Sequence, residues 1–317
     1  MLDREPRIYR LKGTVGNCGT NNSDDVKAIQ KMIIGAGYAF STLRTLSVNG
    51  VCSSQTREAI IWYQRILTLS PTGLIHPTDS FFIQALENAY SPRRGPKHLS
   101  GSLRVSEGQM TFDAEGLDYI TAVVPFRQQH YSSFSRILHW PSTFSSGVTL
   151  GRGYDMRNRT SGVIFSTLRQ AGIEEYKAVI CSKASYLKGR QAEEFVKVHG
   201  YLIGEITHSQ QIKLFEIVYR EKINYAKGVY SRNSRRVVNP RAWYQVDEKI
   251  RDVFVDTLYQ GNKSAPEMVK IIARDGSRVD VINYLKNDPA LSRDQRRNEI
   301  RIRIRIRIRI RIRSLLK

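Results

Sequence analysis

Apolar residues recur at helical spacing along most of the chain. In D-D-V-K-A-I-Q-K-M-I-I, Val26, Ile29 and Ile33 fall three and four apart, behind the capping candidates Asn22, Ser23 and Asp24. The pattern predicts a helix that ends at Gly35 and Gly37. A second helix is predicted through T-R-E-A-I-I-W-Y-Q-R-I-L, with Ala59, Tyr63 and Ile66 on one face. A third starts near Thr78 and Asp79 and buries Phe82 and Leu86. Between them, Asn49-Gly50 and Pro71-Thr72-Gly73 are turn signals.

The pattern lapses at S-P-R-R-G-P-K-H-L-S-G-S-L-R, residues 91–104, whose prolines, glycines, serines and cations read as a linker. Helical spacing then returns at roughly 162–172, 190–199, 208–228, 241–259, 265–274 and 277–287. Ser106 with Gln109, and Thr207 with Gln210, have the spacing of capping boxes. Residues 140–156 are rich in Ser, Gly and Thr, and V-T-L-G-R-G-Y-D within them suggests a short hairpin. From Ile300 to Arg313 Ile and Arg alternate without a break, a period of two that puts all Ile on one strand face and all Arg on the other. That segment adds no core to a helical domain and looks appended. The expected fold is mainly α (α+β), divided into a three-helix module at 1–90, a linker at 91–104, a helical domain at 105–299 with a small β-hairpin, and a cationic tail at 300–317.

Composition narrows the class. With 41% hydrophobic and 25% charged residues, 317 residues hold about two ordinary globular domains, and wholesale disorder is excluded. The net charge of +21 favours polyanionic partners: nucleic acid, an acidic membrane surface or a bacterial envelope. Residues 301–317 contribute seven arginines and a lysine with no acid, and the body stays basic without them. No run of 18 apolar residues and no apolar export signal is found. Cys18, Cys52 and Cys181 form neither a disulfide framework nor a metal spacing, so buried free thiols are expected, with a Cys18–Cys52 pair as the alternative. Nothing matches H-E-x-x-H or a Cys/His zinc pattern, so no metal and no cofactor are expected.

Three blocks at the N-terminus agree in order with a known pattern: G-N-C-G-T-N-N-S-D-D-V-K-A-I-Q, V-N-G-V-C-S-S-Q-T-R-E-A-I-I-W-Y-Q and P-T-G-L-I-H-P-T-D-S. Over about 75 residues this resembles the peptidoglycan-binding three-helix module of cell-wall hydrolases. The resemblance implies a groove that holds wall muropeptide without chemistry. Arg44, Tyr63 and Gln64 are its candidate contacts, with Tyr63 also a candidate for the core.

Chemistry is expected further on. M-T-F-D-A-E-G-L-D places Glu115 at the end of a helix, and H-W-P-S-T-F-S-S-G-V-T-L-G-R-G-Y-D-M places Thr149 and Asp155 on opposite sides of a glycine turn. Glycoside hydrolysis needs one protonated carboxyl and one ionised one. Glu115 and Asp155 can supply that pair, although Asp113 and Asp118 flank Glu115 and spacing alone does not select among them. The two motifs resemble the lysozyme-like domain of phage endolysins, in the branch that includes the bacteriocin pesticin. The T-even phage lysozymes are more distant. The resemblance implies that Glu115 is the general acid, that Thr149 helps position water, and that Asp155 is the second carboxylate. The T-even enzymes carry their aspartate before the threonine; here no acid occurs from Tyr119 to Gly153, and Asp155 is the first after Asp118. Carboxyl groups ~6.5–9.5 Å apart would give inversion and ~5–5.5 Å retention, with inversion implied by the family. His139, Trp140, Arg152 and Tyr154 are candidate sugar contacts; each has a structural alternative as core, cleft wall or solvated cation. His208 is read as a surface residue.

The resulting expectation is an endolysin that cleaves the β-1,4 bond between N-acetylmuramic acid and N-acetylglucosamine. It would act as a monomer, accumulate in the host cytoplasm and reach the wall on release. Its partner is peptidoglycan, with lipopolysaccharide phosphates or anionic lipid as partners of the Arg/Ile tail; no motif for specific nucleic-acid binding is found. A lytic transglycosylase and a noncatalytic membrane-active toxin are the alternatives.

Overall fold

The computed structural model describes residues 9–90, 103–115, 135–141, 145–261, 265–274 and 277–292. The Arg/Ile tail and nearly all of the predicted linker lie outside these residues. The described residues are mainly helical, with two small antiparallel sheets of two strands each. They form two compact units that do not follow chain order. Residues before 104 join those from 135 to 214; residues 104–115 join those from 215 onward.

The first unit opens with β1 (Val15–Gly16), α1 (Ser23–Gly35), α2 (Tyr38–Thr42), α3 (Ser54–Ile66), β2 (Leu74–Ile75) and α4 (Ser80–Tyr90). Val26, Ile29 and Ile33 of α1 are fully buried, as their spacing predicts, together with Ala59, Tyr63, Phe82 and Leu86. Burying such side chains stabilises by about 1.5–3 kcal/mol each. Helix α1 starts at Ser23 with Asp24 and Asp25 in its first turn, where carboxylates meet the helix dipole. Asp25 is also a clamp: its carboxylate accepts from the Lys12 and Gly13 amides at 2.9 and 3.0 Å, fixing the entering chain.

Two buried glutamines hold the turns. Gln30 Oε1 accepts from the Asn49 and Gly50 amides, and its Nε2 donates to Asn49 Oδ1, the Val51 carbonyl and Thr56 Oγ1. Gln64 repeats the device on the next turn, accepting from Gly73 N at 2.9 Å and donating to the Leu74 carbonyl and Thr72 Oγ1. The module packs on later parts of the same unit, where Ser41 donates to the Val198 carbonyl and Lys183 to the carbonyls of Arg65 and Ile66.

The rest of this unit comprises β3 (Thr149–Leu150), β4 (Tyr154–Asp155), α6 (Ser161–Gln170), α7 (Glu175–Ser182), α8 (Arg190–Ile203) and the start of α9 (His208–Ser234). Thr207 and Gln210 close the predicted capping box, with bonds of 3.1 and 2.8 Å. The cysteines are free, but only Cys181 is buried, while Cys52 is half-buried and Cys18 exposed, contrary to the expectation of buried thiols.

The second unit contains α5 (Gln109–Glu115), the remainder of α9, a 3-10 turn at Trp243–Gln245, α10 (Glu248–Tyr259), α11 (Ala265–Ala273), α12 (Arg278–Asn287) and α13 (Pro289–Ser292). Its core includes Phe112, Phe215 and Phe254, all buried, with Phe112 edge-on to Phe215 at 5.1 Å. The capping box predicted at Ser106 does not form. Gln109 accepts instead from Val105 N, and Ser106 donates from both its amide and its hydroxyl to Glu216.

Candidate functional site

The hairpin of the first unit organises the expected chemistry. The turn between β3 and β4 needs Gly151 and Gly153, which adopt φ of +64° and +89°. With that turn, Thr149 pairs directly with Asp155 and Leu150 with Tyr154. Directly opposed residues point to the same face of a sheet, so the threonine and the carboxylate are neighbours. Thr149 is buried and its hydroxyl donates to the Gly147 carbonyl at 3.2 Å.

Arg157 holds Asp155. Its amide donates to Asp155 Oδ1 at 2.9 Å, and its Nε lies 3.0 Å from Oδ2. Gly147 makes room: a β-carbon there would stand 2.4 Å from Asp155 Oδ1. So glycine is required at this position to leave the carboxylate where it is.

A third segment extends this patch. His139 exchanges backbone hydrogen bonds with Thr149 at 2.8 and 2.9 Å, so His139, Thr149 and Asp155 stand in one row. The His139 ring is buried and burial pulls its pKa down to about 4, so it is neutral near pH 7. Its Nδ1 lies 3.0 Å from the Ile137 carbonyl, which can only accept, so Nδ1 carries the proton. The row is anchored by the buried ion pair of Arg136 with Glu205 at 2.8 Å.

The other candidates divide. Tyr154 is buried beneath Arg159, whose guanidinium lies 4.6 Å from its ring, so it belongs to the core. His139 is likewise core rather than a face for stacking a sugar. Trp140 is half-buried and its indole N–H donates to the Ser146 carbonyl. Arg152 is half-buried at the turn, where its Nε donates to Gln211 at 3.1 Å. His208 is buried, which corrects its reading as a surface residue.

In the module, Tyr63 is completely buried and burial raises its phenol pKa, while the Gln64 amide is occupied by the turn it holds. Both are architecture. Arg44 is exposed and pairs with Glu58 at 2.8 Å. Glu115 belongs to the second unit, where it is the half-buried last residue of α5. The sequence reading missed Gly147, whose role is visible only once the Asp155 carboxylate is placed against it. Among the described residues no group of three or more His, Cys, Asp or Glu side chains is arranged to hold a metal.

Two family models match the chain, one in its N-terminal module and one that spans residues of both compact units. A family model described as "Putative peptidoglycan binding domain" matches residues 22–77. A second, described as a domain of unknown function (DUF8812), matches residues 108–285. No curated protein matches the chain. The N-terminal module is therefore a peptidoglycan-binding module, and the protein is related to the bacterial cell wall. No helix among the described residues is long and apolar enough to cross a membrane.

Proposed function

We propose that this chain, which belongs to the DUF8812 family, is a peptidoglycan hydrolase of the muramidase type that works as an endolysin. The observation that carries the reading is the register of the hairpin, in which Thr149 faces Asp155 and Gly147 leaves space for the carboxylate. In this reading Glu115 protonates the glycosidic oxygen between N-acetylmuramic acid and N-acetylglucosamine. Asp155 takes a proton from water while the Thr149 oxygen orients it, and the water attacks the anomeric carbon from the opposite face with inversion. The C–O bond breaks as the new one forms, and the products are a reducing end and a free hydroxyl. Arg157 fixes Asp155 but leaves it partly exposed, within reach of a water molecule. The module holds the enzyme on its polymeric substrate, which raises the local concentration of glycan. Residues 300–317 are proposed to engage outer-membrane phosphates through arginine and the lipid interface through isoleucine.

The test is clearing of purified peptidoglycan, free of outer membrane, with analysis of product ends. Glu115→Gln is expected to slow clearing by about 10²–10⁴-fold, the usual size of a general acid's contribution. Reducing N-acetylmuramic ends are expected from the wild type. Anhydro ends would replace hydrolysis by transglycosylation, and undiminished clearing by Glu115→Gln would remove this mechanism.

A further inference from the structure

The second unit holds a pocket of about 440 Å³, within the usual size range of small-ligand sites. Two helical stripes wall it. Tyr219, Ile223 and Lys227 repeat every four residues on α9, and Glu248, Asp252 and Val255 repeat on α10. The loop before α5 closes one side. Gly108, at φ +74°, is seated against the Tyr219 ring, where a β-carbon would come within 2.3 Å. The Trp243–Tyr244 turn closes another side.

The lining is charged in both senses. Asp252 is mostly buried, and burial pushes its carboxyl pKa up to about 6, against the pull of Lys249 and Arg251 and with help from Glu248 and Glu107. Its nearest cation, Lys249, is 3.9 Å away, too far for a strong hydrogen-bonded pair. Tyr244 is 77% exposed and Trp243 half-buried, so aromatic surface borders the acids. The lining also carries the cations Lys227, on α9, and Arg251, beside Asp252 on α10. The Arg251 Nε–H is buried and has no hydrogen-bond partner among the described residues.

We propose that this pocket binds the zwitterionic end of a diamino acid, an ammonium beside a carboxylate, as presented by a free stem peptide of the wall. The ligand follows from the lining. An ammonium relieves the mutual repulsion of Asp252, Glu107 and Glu248, and the rings of Trp243 and Tyr244 stabilise it further. The neighbouring carboxylate is taken by Lys227 and Arg251. A neutral sugar would bring a charge to neither set. The choice of the wall as source rests on the cell-wall hydrolase reading above.

The test titrates the full chain with free 2,6-diaminopimelate by calorimetry and ligand-detected NMR. Pimelate, which lacks the ammonium groups, and cadaverine, which lacks the carboxylates, serve as controls. Saturable binding is expected for diaminopimelate, at least about tenfold tighter than for either control, since each control forfeits one set of charge-assisted bonds. Asp252→Asn and Tyr244→Ala should each weaken it by about tenfold. Tyr244 is exposed, so its variant folds even if the Asp252 variant does not. Glu115→Gln should bind like wild type. Absence of binding, equal binding of either control, or wild-type affinity in Tyr244→Ala would overturn the proposal. The readout is binding, so failure of the muramidase reading, seen as undiminished clearing by Glu115→Gln, remains a separate result.

Discussion

The N-terminal module and the hairpin both place polar side chains against an apolar core, and they use them in opposite ways. In the module Gln30 and Gln64 close their circuits: both ends of each amide bind the chain, and each fixes one turn. In the hairpin the polar groups are held from one side. Arg157 fixes Asp155 yet leaves about a third of its side chain in solvent, and Thr149 donates its proton but keeps an oxygen able to accept. A polar group whose bonds are all internal is architecture. One that is positioned yet left partly in solvent, as Asp155 is, is available to a substrate or to water.

The contrast predicts that substitutions in the two regions fail in different assays. The largest effect is expected at Asp155. Asp155→Asn should cut wall clearing by about 10²–10⁴-fold with little change in melting temperature, because the carboxylate is partly exposed and the amide is isosteric. Gln64→Ala should do the reverse. It strips the Gly73 amide and the Leu74 carbonyl of their partners and should cost about 2–4 kcal/mol in denaturant unfolding, while a soluble chitooligosaccharide or muropeptide is turned over at the wild-type rate per folded molecule. An Asp155→Asn protein that unfolds early but stays active per folded molecule would erase the distinction.

A smaller effect separates the regions by pH. His139 has a folded pKa of about 4, below its ordinary 6.5, because its ring is fully buried. Between those values the unfolded chain binds a proton that the folded chain refuses, so stability is complete above pH 6.5 and falls as pH drops towards 4. The shift corresponds to roughly 3 kcal/mol over that window. His199, stacked on Phe195 at 4.2 Å and also lowered to about 4 by burial, acts in the same direction. In urea melts from pH 7 to pH 4, His139→Gln should therefore lose less stability than the wild type. Parallel pH profiles would mean that the ring does not set the acid sensitivity of this region.

Much of this was legible in the sequence, for reasons that individual elements make plain. Helices α1 and α3 declare themselves because one face is buried and the other wet, so apolar residues recur at the helical period. Helix α7 does not, because Tyr176, Lys177, Ala178, Ile180 and Cys181 are all buried and no stripe stands out. Helix α2 spans five residues between two left-handed positions, Gly37 and Leu43, and is too short to carry a period. The Thr149–Asp155 pairing was readable from G-V-T-L-G-R-G-Y-D, since the two glycines fix where the chain reverses. The core alternative for His139 was readable too, but not what buries it: a segment ten residues away in sequence that exchanges backbone bonds with it. The pocket of the second unit was equally hidden, since Glu107 and Asp252 meet only through tertiary packing.

The smallest expected effect concerns Arg44, the one candidate wall contact of the module that is not committed to its interior. Its pair with Glu58 joins two side chains that are 67% and 56% exposed, where water and salt screen the attraction. Arg44→Ala should therefore shift stability by less than about 0.5 kcal/mol. A guanidinium on the surface of a peptidoglycan-binding module, near the exposed Leu43, can still meet the carboxylates of stem peptides. Pull-down on purified peptidoglycan then separates two roles. If Arg44 contacts the wall, Arg44→Ala weakens retention while the melt stays put, and Arg44→Lys restores only part of it because the bidentate fork is lost. Equal retention of both variants would make the pair with Glu58 a solvated surface bridge and move the binding face of the module elsewhere.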